Sequence, residues 1–198
     1  MGDTFHHVLV GHIAQHTQVF VPSHVERCEG FGRHPWLAIH AGGRGRRTDG
    51  LVVAVGKEMA EGLPEGGMLH TIEIFDEIED FTRPWIENSP WADKIQFHIG
   101  DAMEVVPRLG VKFDMAFVDG NKRIYPEYYQ LVKQYMNPGG YIIADNTLWD
   151  GHVLETDSKD PQTQGVIRFN DMVRDDSSVE KVILPIRDGL TIIRVSQF

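Results

Sequence analysis

The hydrophobic pattern in the middle of the chain predicts two buried strands joined by a helix. An apolar run from Met115 to Val118 precedes a tyrosine-rich helical segment, a Pro-Gly-Gly stop and a second apolar run from Tyr141 to Ala144. Strands joined by a crossover helix lie parallel, so their carboxyl ends fall side by side. We therefore expect Asp119, which follows the first run, to lie beside Asp145 and Asn146. Ligands of open α/β sheets bind at these strand ends, which makes this cluster the candidate active site.

Strands and helices alternate along the rest of the chain from about Glu58. Alternating apolar residues predict a strand over Met68–Ile74, and the run IQFHI predicts a short strand after it. The last two apolar runs, VEKVILPI and LTIIRVS, flank an Asp-Gly pair that favours a tight antiparallel hairpin. This order is typical of the α/β class, with a mostly parallel sheet and an antiparallel C-terminal hairpin.

Helical spacing of apolar residues predicts the segments between these strands. The spacing favours helices over Ile78–Ile86, with Pro84 inside it, and over AMEVVPRL. A final amphipathic helix is predicted over Val166–Val173. The polar connection before it, Trp149–Gly165, is long for a compact domain, so we interpret it as a functional lid.

The first 57 residues differ in kind from the rest. They hold seven of the ten histidines. Their six basic and four acidic residues give them a net charge of +2, so the remaining residues carry −12 and the whole chain −10. We therefore divide the chain into an atypical segment, 1–57, and a domain, 58–198. The Gly/Arg run Ala41–Gly50 is either a diverged glycine loop or part of an altered translation joined to an intact domain. We expect Met1–Gly50 to pack poorly, which leaves the first strand and the N-terminal helices of the sheet in doubt.

Composition excludes several classes of partner. The net charge of −10 argues against nucleic acid, because phosphate binding needs clustered Lys and Arg. No segment approaches the about 20 apolar residues of a membrane span. The single cysteine, Cys28, has no internal disulfide partner, so we expect a reducing, cytoplasmic location.

Four successive predicted strands end in or beside an acid. These acids are Glu73, Asp101, Asp119 and Asp145. Nucleotide-binding α/β folds place an acid at such a position to bind ribose hydroxyls, which is the role we assign to Glu73. An ordinary strand-end carboxylate is the alternative for Glu73 alone. The regularity of all four favours a binding edge.

Five stretches carry a family resemblance, in this order: LHTIEI, IGDA, FDMAFVDGNKRIYPEYY, PGGYIIADNTLWDG and LPIRDGLTIIR. From about Met59 to the C-terminus the chain resembles the class I S-adenosylmethionine-dependent methyltransferases. It is most similar to the cation-dependent O-methyltransferases typified by catechol and caffeoyl-CoA O-methyltransferase. The resemblance implies a Rossmann-like sheet, a homodimer, and methyl transfer to a hydroxyl of a small catechol-like phenol.

The resemblance also implies roles for individual residues. The implied cofactor contacts are Glu73, Gly100, Asp101, Ala102 and Asp119, the metal ligands are Asp119, Asp145 and Asn146, the catalytic base is Lys122, and Trp149 is a wall of the acceptor pocket. Two carboxylates and an amide oxygen form a hard donor set that suits Mg²⁺ or Ca²⁺ better than zinc.

Two features depart from the family's pattern. Asp119-Gly120-Asn121-Lys122 stands where the family has Asp-Ala-Asp-Lys. The family's first-strand motif E-x-G-x-x-x-G is absent, and RRTDGLVVAVGKE occupies the corresponding positions, so that LVVAV falls where the family has a helix. The alternative function is therefore an impaired remnant that acts as a binding module. A nucleotide-dependent oxidoreductase would need G-x-G-x-x-G, which the chain lacks.

Overall fold

The structure is a computed structural model that describes residues 8–9, 18–19, 34–40 and 49–196; for 8–9, 18–19 and 49–55 it describes the backbone alone. Val8–Leu9 and Gln18–Val19 form a short antiparallel pair. None of the helices within these ranges is long and apolar enough to cross a membrane.

Seven strands form the main sheet. They are β1 (Trp36–His40), β2 (Leu69–Glu73), β3 (Ile95–Ile99), β4 (Phe113–Asp119), β5 (Met136–Asp145), β6 (Val179–Leu184) and β7 (Leu190–Val195). Their order is β3-β2-β1-β4-β5-β7-β6, with β1 to β5 parallel and β7 antiparallel to both of its neighbours. The predicted α/β class and the antiparallel C-terminal hairpin are confirmed.

In the part of the chain that the structure describes, five α-helices cover the two faces of the sheet. They are α1 (Asp49–Gly62), α2 (Glu79–Glu87), α3 (Ala102–Leu109), α4 (Tyr125–Tyr135) and α5 (Pro161–Asp175). Val106, Tyr129 and Phe169 of α3, α4 and α5 belong to one hydrophobic core, whereas Met59 and Ile86 of α1 and α2 belong to another. The fold therefore has three layers, as parallel sheets require for burial on both faces.

Strand β1 lies in the interior of the sheet, between β2 and β4, and all five of its residues, Trp36–His40, are buried. The expectation that Met1–Gly50 packs poorly is wrong for this strand, because WLAIH is the near-continuous apolar run that a central parallel strand needs. Residues 41–48, and with them most of the Gly/Arg run, lie outside the described residues. Helix α1 continues from Asp49 through residue 57, and the division of the chain at that residue stays a prediction.

Strand β5 begins at Met136, whereas the sequence predicted a start at Tyr141 after a Pro-Gly-Gly stop. The strand runs through these three residues, and its pairing with β4 shifts register between Phe113 and Met115. Gly139 has φ of +83° there. Pro and Gly are tolerated because the ladder is irregular at this bulge.

Helix α5 begins five residues before the predicted Val166. The carboxylate of Asp160 accepts a hydrogen bond of 2.7 Å from the backbone N–H of Thr163, and Pro161 takes the first helical position. Both features favour a helix start. The connection Trp149–Gly165, which we interpreted as a lid, therefore has less irregular backbone than predicted. It contains a 3₁₀ segment over Trp149–Leu154, and its last residues belong to α5.

Candidate functional site

The carboxyl ends of β4 and β5 bring together the predicted acidic cluster. Val118 pairs with Ala144, so the next residues, Asp119 and Asp145, lie side by side as expected. The backbone N–H of Asn146 donates a 2.8 Å hydrogen bond to Oδ1 of Asp145, and Asn146 has φ of 57°. The three predicted metal ligands thus share one edge of the sheet.

The carboxylates of Asp119 and Asp145 repel each other at this edge, where Asp145 is buried. Burial raises the pKa of Asp145 to about 7, and the charge of Asp119 adds to this, while Lys122 opposes it. Within the described ranges, no three His, Cys, Asp or Glu side chains form a metal-binding cluster. A cation here would therefore rely on two carboxylates with Asn146 as the third donor, which is an oxygen set suited to a hard ion.

Lys122 is buried beside these acids. Its Nζ donates hydrogen bonds to Oδ1 of Asp119 at 2.9 Å, to the carbonyl oxygen of Asp145 at 3.1 Å and to the hydroxyl of Tyr125. The Tyr125 hydroxyl lies 2.9 Å from the carbonyl oxygen of Val118 and 2.8 Å from that of Asp145. Lys122 is therefore held at the junction of both strand ends.

Tyr125 is a site residue that sequence reasoning missed. Burial, reinforced by Asp119 and then Asp145, raises its pKa well above the usual range, so it stays a neutral hydroxyl. The available signal was its position three residues after Lys122, at the start of the predicted helix. Residues three apart on a helical turn lie on one side and can contact each other.

The turn that carries Lys122 packs tightly against α5 at Gly165. A Cβ added to Gly165 would lie 2.0 Å from the carbonyl oxygen of Lys122 and 2.9 Å from Cα of Arg123. Because both atoms belong to the backbone, a side chain would force the helix and the turn apart. Gly165 therefore allows the close approach of α5 to the turn and helps to fix the position of the Lys122 backbone.

We expect Gly165→Ala to lower the free energy of unfolding by about 1–3 kcal/mol, the usual cost of overpacking. Urea denaturation checks this. Gly56→Ala in α1 is the matched control, since a Cβ there meets no described atom within 4 Å and Ala favours helix. Equal stability of the two variants would show that the close approach at Gly165 has no energetic weight.

The predicted cofactor residues on β2 and β3 also meet. Glu73 is fully buried at the end of β2 and accepts a 3.1 Å hydrogen bond from the N–H of Phe75. The N–H of Gly100 donates to the carbonyl oxygen of Glu73 at 2.9 Å. Asp101 then caps α3 by accepting from the N–H of Met103 at 2.9 Å. Ala102, the first residue of α3, is buried.

Tyr128 is a second residue that the sequence did not reveal. A Cβ on Gly120 would lie 2.5 Å from Cε2 of Tyr128, so the ring rests on this glycine. Burial raises the pKa of Tyr128 to about 12, and the charges of Asp101 and Glu73 contribute to the rise. The departure at Gly120 therefore has a physical reason, since alanine would collide with a ring that lies near both predicted cofactor acids.

His40 is the third missed residue. It ends β1 and pairs in register with Glu73 on one side and Asp119 on the other. Its side chain is buried, and neither ring nitrogen has a hydrogen-bond partner among the residues that the structure describes. Burial lowers its pKa to about 4 against the opposing effect of Asp119, so the ring is neutral at pH 7. The signal in the sequence was a polar residue at the end of the apolar run WLAIH.

Trp149 follows the acidic cluster on the chain. It is half-buried and starts the 3₁₀ segment with φ of 51°. Its place three residues after Asn146 keeps it near the strand ends. Its role as a wall of a pocket stays a prediction.

Comparison with known proteins gives one family match. Residues 55–196 match the family model described as O-methyltransferase. A catechol O-methyltransferase of Niastella koreensis is 35% identical over 130 residues, which cover 64% of this chain and 59% of that protein. Tricin synthase 2 of Oryza sativa is 35% identical over 144 residues, covering 67% and 49%. The chain thus spans about half to three-fifths of these two relatives.

A longer match and two solved structures agree with this. Caffeoyl-CoA O-methyltransferase 2 of Zea mays is 31% identical over 192 residues, covering 82% of this chain and 72% of the relative. An O-methyltransferase of Streptomyces achromogenes in complex with S-adenosylmethionine has a TM-score of 0.68 at 28% identity, covering 82% and 73%. One from Bacillus cereus with S-adenosylhomocysteine has a TM-score of 0.69 at 27% identity, covering 82% and 74%.

Proposed function

This chain belongs to the O-methyltransferase family, and we propose that it transfers a methyl group from S-adenosylmethionine to a hydroxyl of a catechol-like phenol in the presence of Mg²⁺. One observation carries the proposal: buried Lys122 contacts Asp119 and the backbone of Asp145 where two parallel strands end. A base and an acidic pair at one point can serve an acceptor with two adjacent hydroxyls.

The residues along β1, β2 and β3 fit S-adenosylmethionine. A buried polar group without a partner costs about 1–3 kcal/mol, and within the described part of the chain the two ring nitrogens of His40, between Glu73 and Asp119, are such groups. A polar ligand beside Glu73 and Asp119 would relieve that cost. Glu73 would accept hydrogen bonds from the ribose hydroxyls and Asp101 from the adenine amino group. Bound S-adenosylmethionine would supply the methyl group on its positively charged sulfur.

The residues at the ends of β4 and β5 fit Mg²⁺. Asp119, Asp145 and Asn146 would hold it, and the raised pKa of Asp145, which burial and then Asp119 cause, indicates a place where a cation relieves repulsion. Bound Mg²⁺ would stabilise negative charge on the acceptor oxygens. Ca²⁺ has the same ligand chemistry and is the other candidate.

As a neutral amine, which would keep two of its three donated hydrogen bonds and have one lone pair free, Lys122 would accept the proton of the attacking hydroxyl at Nζ. Tyr125 and the carbonyl oxygen of Asp145 fix the place of this nitrogen, and burial keeps water away from it. Trp149 would form a wall against the phenol ring. Because these residues are held on rigid strand ends, much of the rate acceleration would come from positioning.

The alternative of an impaired remnant rests on the absent glycine motif and on the doubt about the first strand. The doubt about the strand no longer holds, because Trp36–His40 forms a buried strand between β2 and β4. Of the stretch that stands in place of the glycine motif, RRTDGLVVAVGKE, residues 46–48 lie outside the described part of the chain, and the rest, from Asp49 onward, belongs to α1. Assembly as a homodimer stays a prediction.

Titration of the protein with S-adenosylhomocysteine, followed by assay of methyl transfer to catechol with and without a chelator, tests the proposal. We expect Glu73→Gln to weaken binding of S-adenosylhomocysteine by about tenfold or more, because hydrogen bonds to a charged acceptor contribute about 1.5–3 kcal/mol. Glu77→Gln, a neighbouring exposed acid, is the control. Lack of binding by the unaltered protein would contradict the proposed function.

A further inference from the structure

The backbone that follows Asp145 is held in a strained conformation. Asn146, Trp149 and Asp150 have φ of 57°, 51° and 50°, and Gly151 has φ of 86°. This left-handed region costs a non-glycine residue about 1–2 kcal/mol, and less where the residue is Asn or Asp, so the cost is largest at Trp149. Three such residues within five positions need support from outside the segment, which we call the acceptor loop (residues 146–151).

The turn of the C-terminal hairpin supplies that support. The N–H of Thr147 donates to the carbonyl oxygen of Gly189 at 3.1 Å, and the N–H of Leu148 donates to that of Asp188 at 2.8 Å. The N–H of Asp150 donates to Oδ1 of Asp188. Asp188 therefore binds the loop through its backbone and its side chain together.

Close packing reinforces these hydrogen bonds. Gly189 has φ of +83°, and a Cβ there would lie 2.5 Å from Cγ of Leu148 and 2.8 Å from its backbone nitrogen. Only glycine allows the turn to approach the loop so closely. Within the loop itself, the N–H of Gly151 donates a hydrogen bond of 2.9 Å to the carbonyl oxygen of Leu148.

We propose that Asp188 is a positioning residue for the acceptor: its carboxylate fixes the left-handed turn that carries Asn146 and Trp149. This inference rests on the proposed function, which places the phenol against Trp149. Asp188 does not touch the reacting atoms. It acts by preorganising the loop, so that binding the acceptor does not have to pay for ordering it.

Two substitutions separate the hydrogen bond of Asp188 from its charge. Asp188→Ala removes the acceptor for the N–H of Asp150. Asp188→Asn keeps an Oδ1 acceptor and removes only the charge. Asp157→Ala, at an exposed aspartate in the connection to α5, is the control for loss of a surface carboxylate.

Hydrogen exchange, calorimetry and steady-state kinetics give the readouts. We expect Asp188→Ala to raise the acceptor KM about tenfold, since small misplacements in an active site are costly. Backbone amides of residues 147–150 should exchange about tenfold faster. The Kd for S-adenosylhomocysteine should stay within about twofold, because Glu73 ends β2 and Asp101 caps α3, which are different elements from the acceptor loop. Asp188→Asn should restore both KM and exchange to nearly those of the unaltered protein.

Several outcomes would overturn the inference. Unchanged exchange in Asp188→Ala would mean that the carboxylate does not hold the loop, and an equal defect in Asp188→Asn would mean that charge is what matters. A parallel loss of S-adenosylhomocysteine affinity and thermal stability would indicate a general structural role. If the unaltered protein transfers no methyl group to catechol, the proposed function fails, and the exchange data alone still decide whether Asp188 fixes the loop.

Discussion

Replacing Lys122 by methionine is expected to lower kcat by about 10²- to 10⁴-fold, the range that a general base contributes. Methionine keeps a similar length and removes the nitrogen that contacts Asp119 and the carbonyl oxygen of Asp145. Affinity for S-adenosylhomocysteine should change little, because the predicted contacts of the cofactor lie mainly on β2 and β3. Steady-state kinetics and calorimetry measure the two effects separately.

Lys133→Met is the matched control for this substitution. Lys133 lies in the last turn of α4, where it pairs with Asp176 and donates to Ser178 at 2.6 Å. Its loss should affect stability modestly and kcat hardly at all. A Lys122→Met protein that folds normally and keeps its kcat would rule out Lys122 as the base.

Local sequence rules were sufficient where neighbouring strands follow each other closely along the chain. The crossover helix between β4 and β5 forces a parallel pair, and this alone placed Asp119 beside Asp145. The Asp-Gly pair likewise predicted the antiparallel hairpin of β6 and β7, but its turn spans residues 185–189 and is longer than the predicted tight turn. Both inferences need only a strand, a connection and its length.

Strand β1 was left in doubt because the family's motif is absent, although its apolar pattern favours a buried strand. WLAIH has the apolar continuity of a strand buried on both faces, whereas the residues that stand in place of the E-x-G-x-x-x-G motif, RRTDGLVVAVGKE, belong to α1 from Asp49 onward. For the same reason His40, the last residue of this strand, was not predicted as a site residue. A search for a polar residue at the end of each apolar run would have found His40 together with Glu73.

Contacts between distant residues could not be predicted from one sequence. The ring of Tyr128 needs space at Gly120, and α5 approaches the turn of Lys122 only because residue 165 is glycine. The hydrogen bond from the N–H of Asp150 to the carboxylate of Asp188 joins positions 38 residues apart. Such contacts depend on packing in three dimensions, which periodicity along the chain does not contain.

Removing one carboxylate from the proposed metal site is expected to abolish stimulation by Mg²⁺. We expect Asp145→Asn to weaken Mg²⁺ binding by about 100-fold or more, because three protein donors with two charges would become a set with one charge. Asparagine keeps an oxygen that can accept from the N–H of Asn146, so the loop start should be preserved. Asp119→Ala should have the same effect on the metal.

A second signature of Asp145→Asn concerns stability without metal. Burial, reinforced by Asp119, raises the pKa of Asp145 to about 7 from 3.8. A carboxyl group with a raised folded-state pKa destabilises the fold once it ionises, so this cost grows as the pH rises from about 4 to 7 and is full at pH 8. The metal-free Asn variant should therefore resist urea better than the unaltered protein at pH 8, and equally at pH 4.

Asp114→Asn provides the control for both measurements. Asp114 is also buried on β4, but at the opposite end from Asp119, where its carboxylate accepts hydrogen bonds from Asn137 at 2.8 Å and from the N–H of His34 at 3.1 Å. This variant should keep its response to Mg²⁺ whatever its stability. Full activity of Asp145→Asn in the presence of a chelator would exclude the metal from the reaction, since the remaining donors are too weakly charged to retain Mg²⁺ against it.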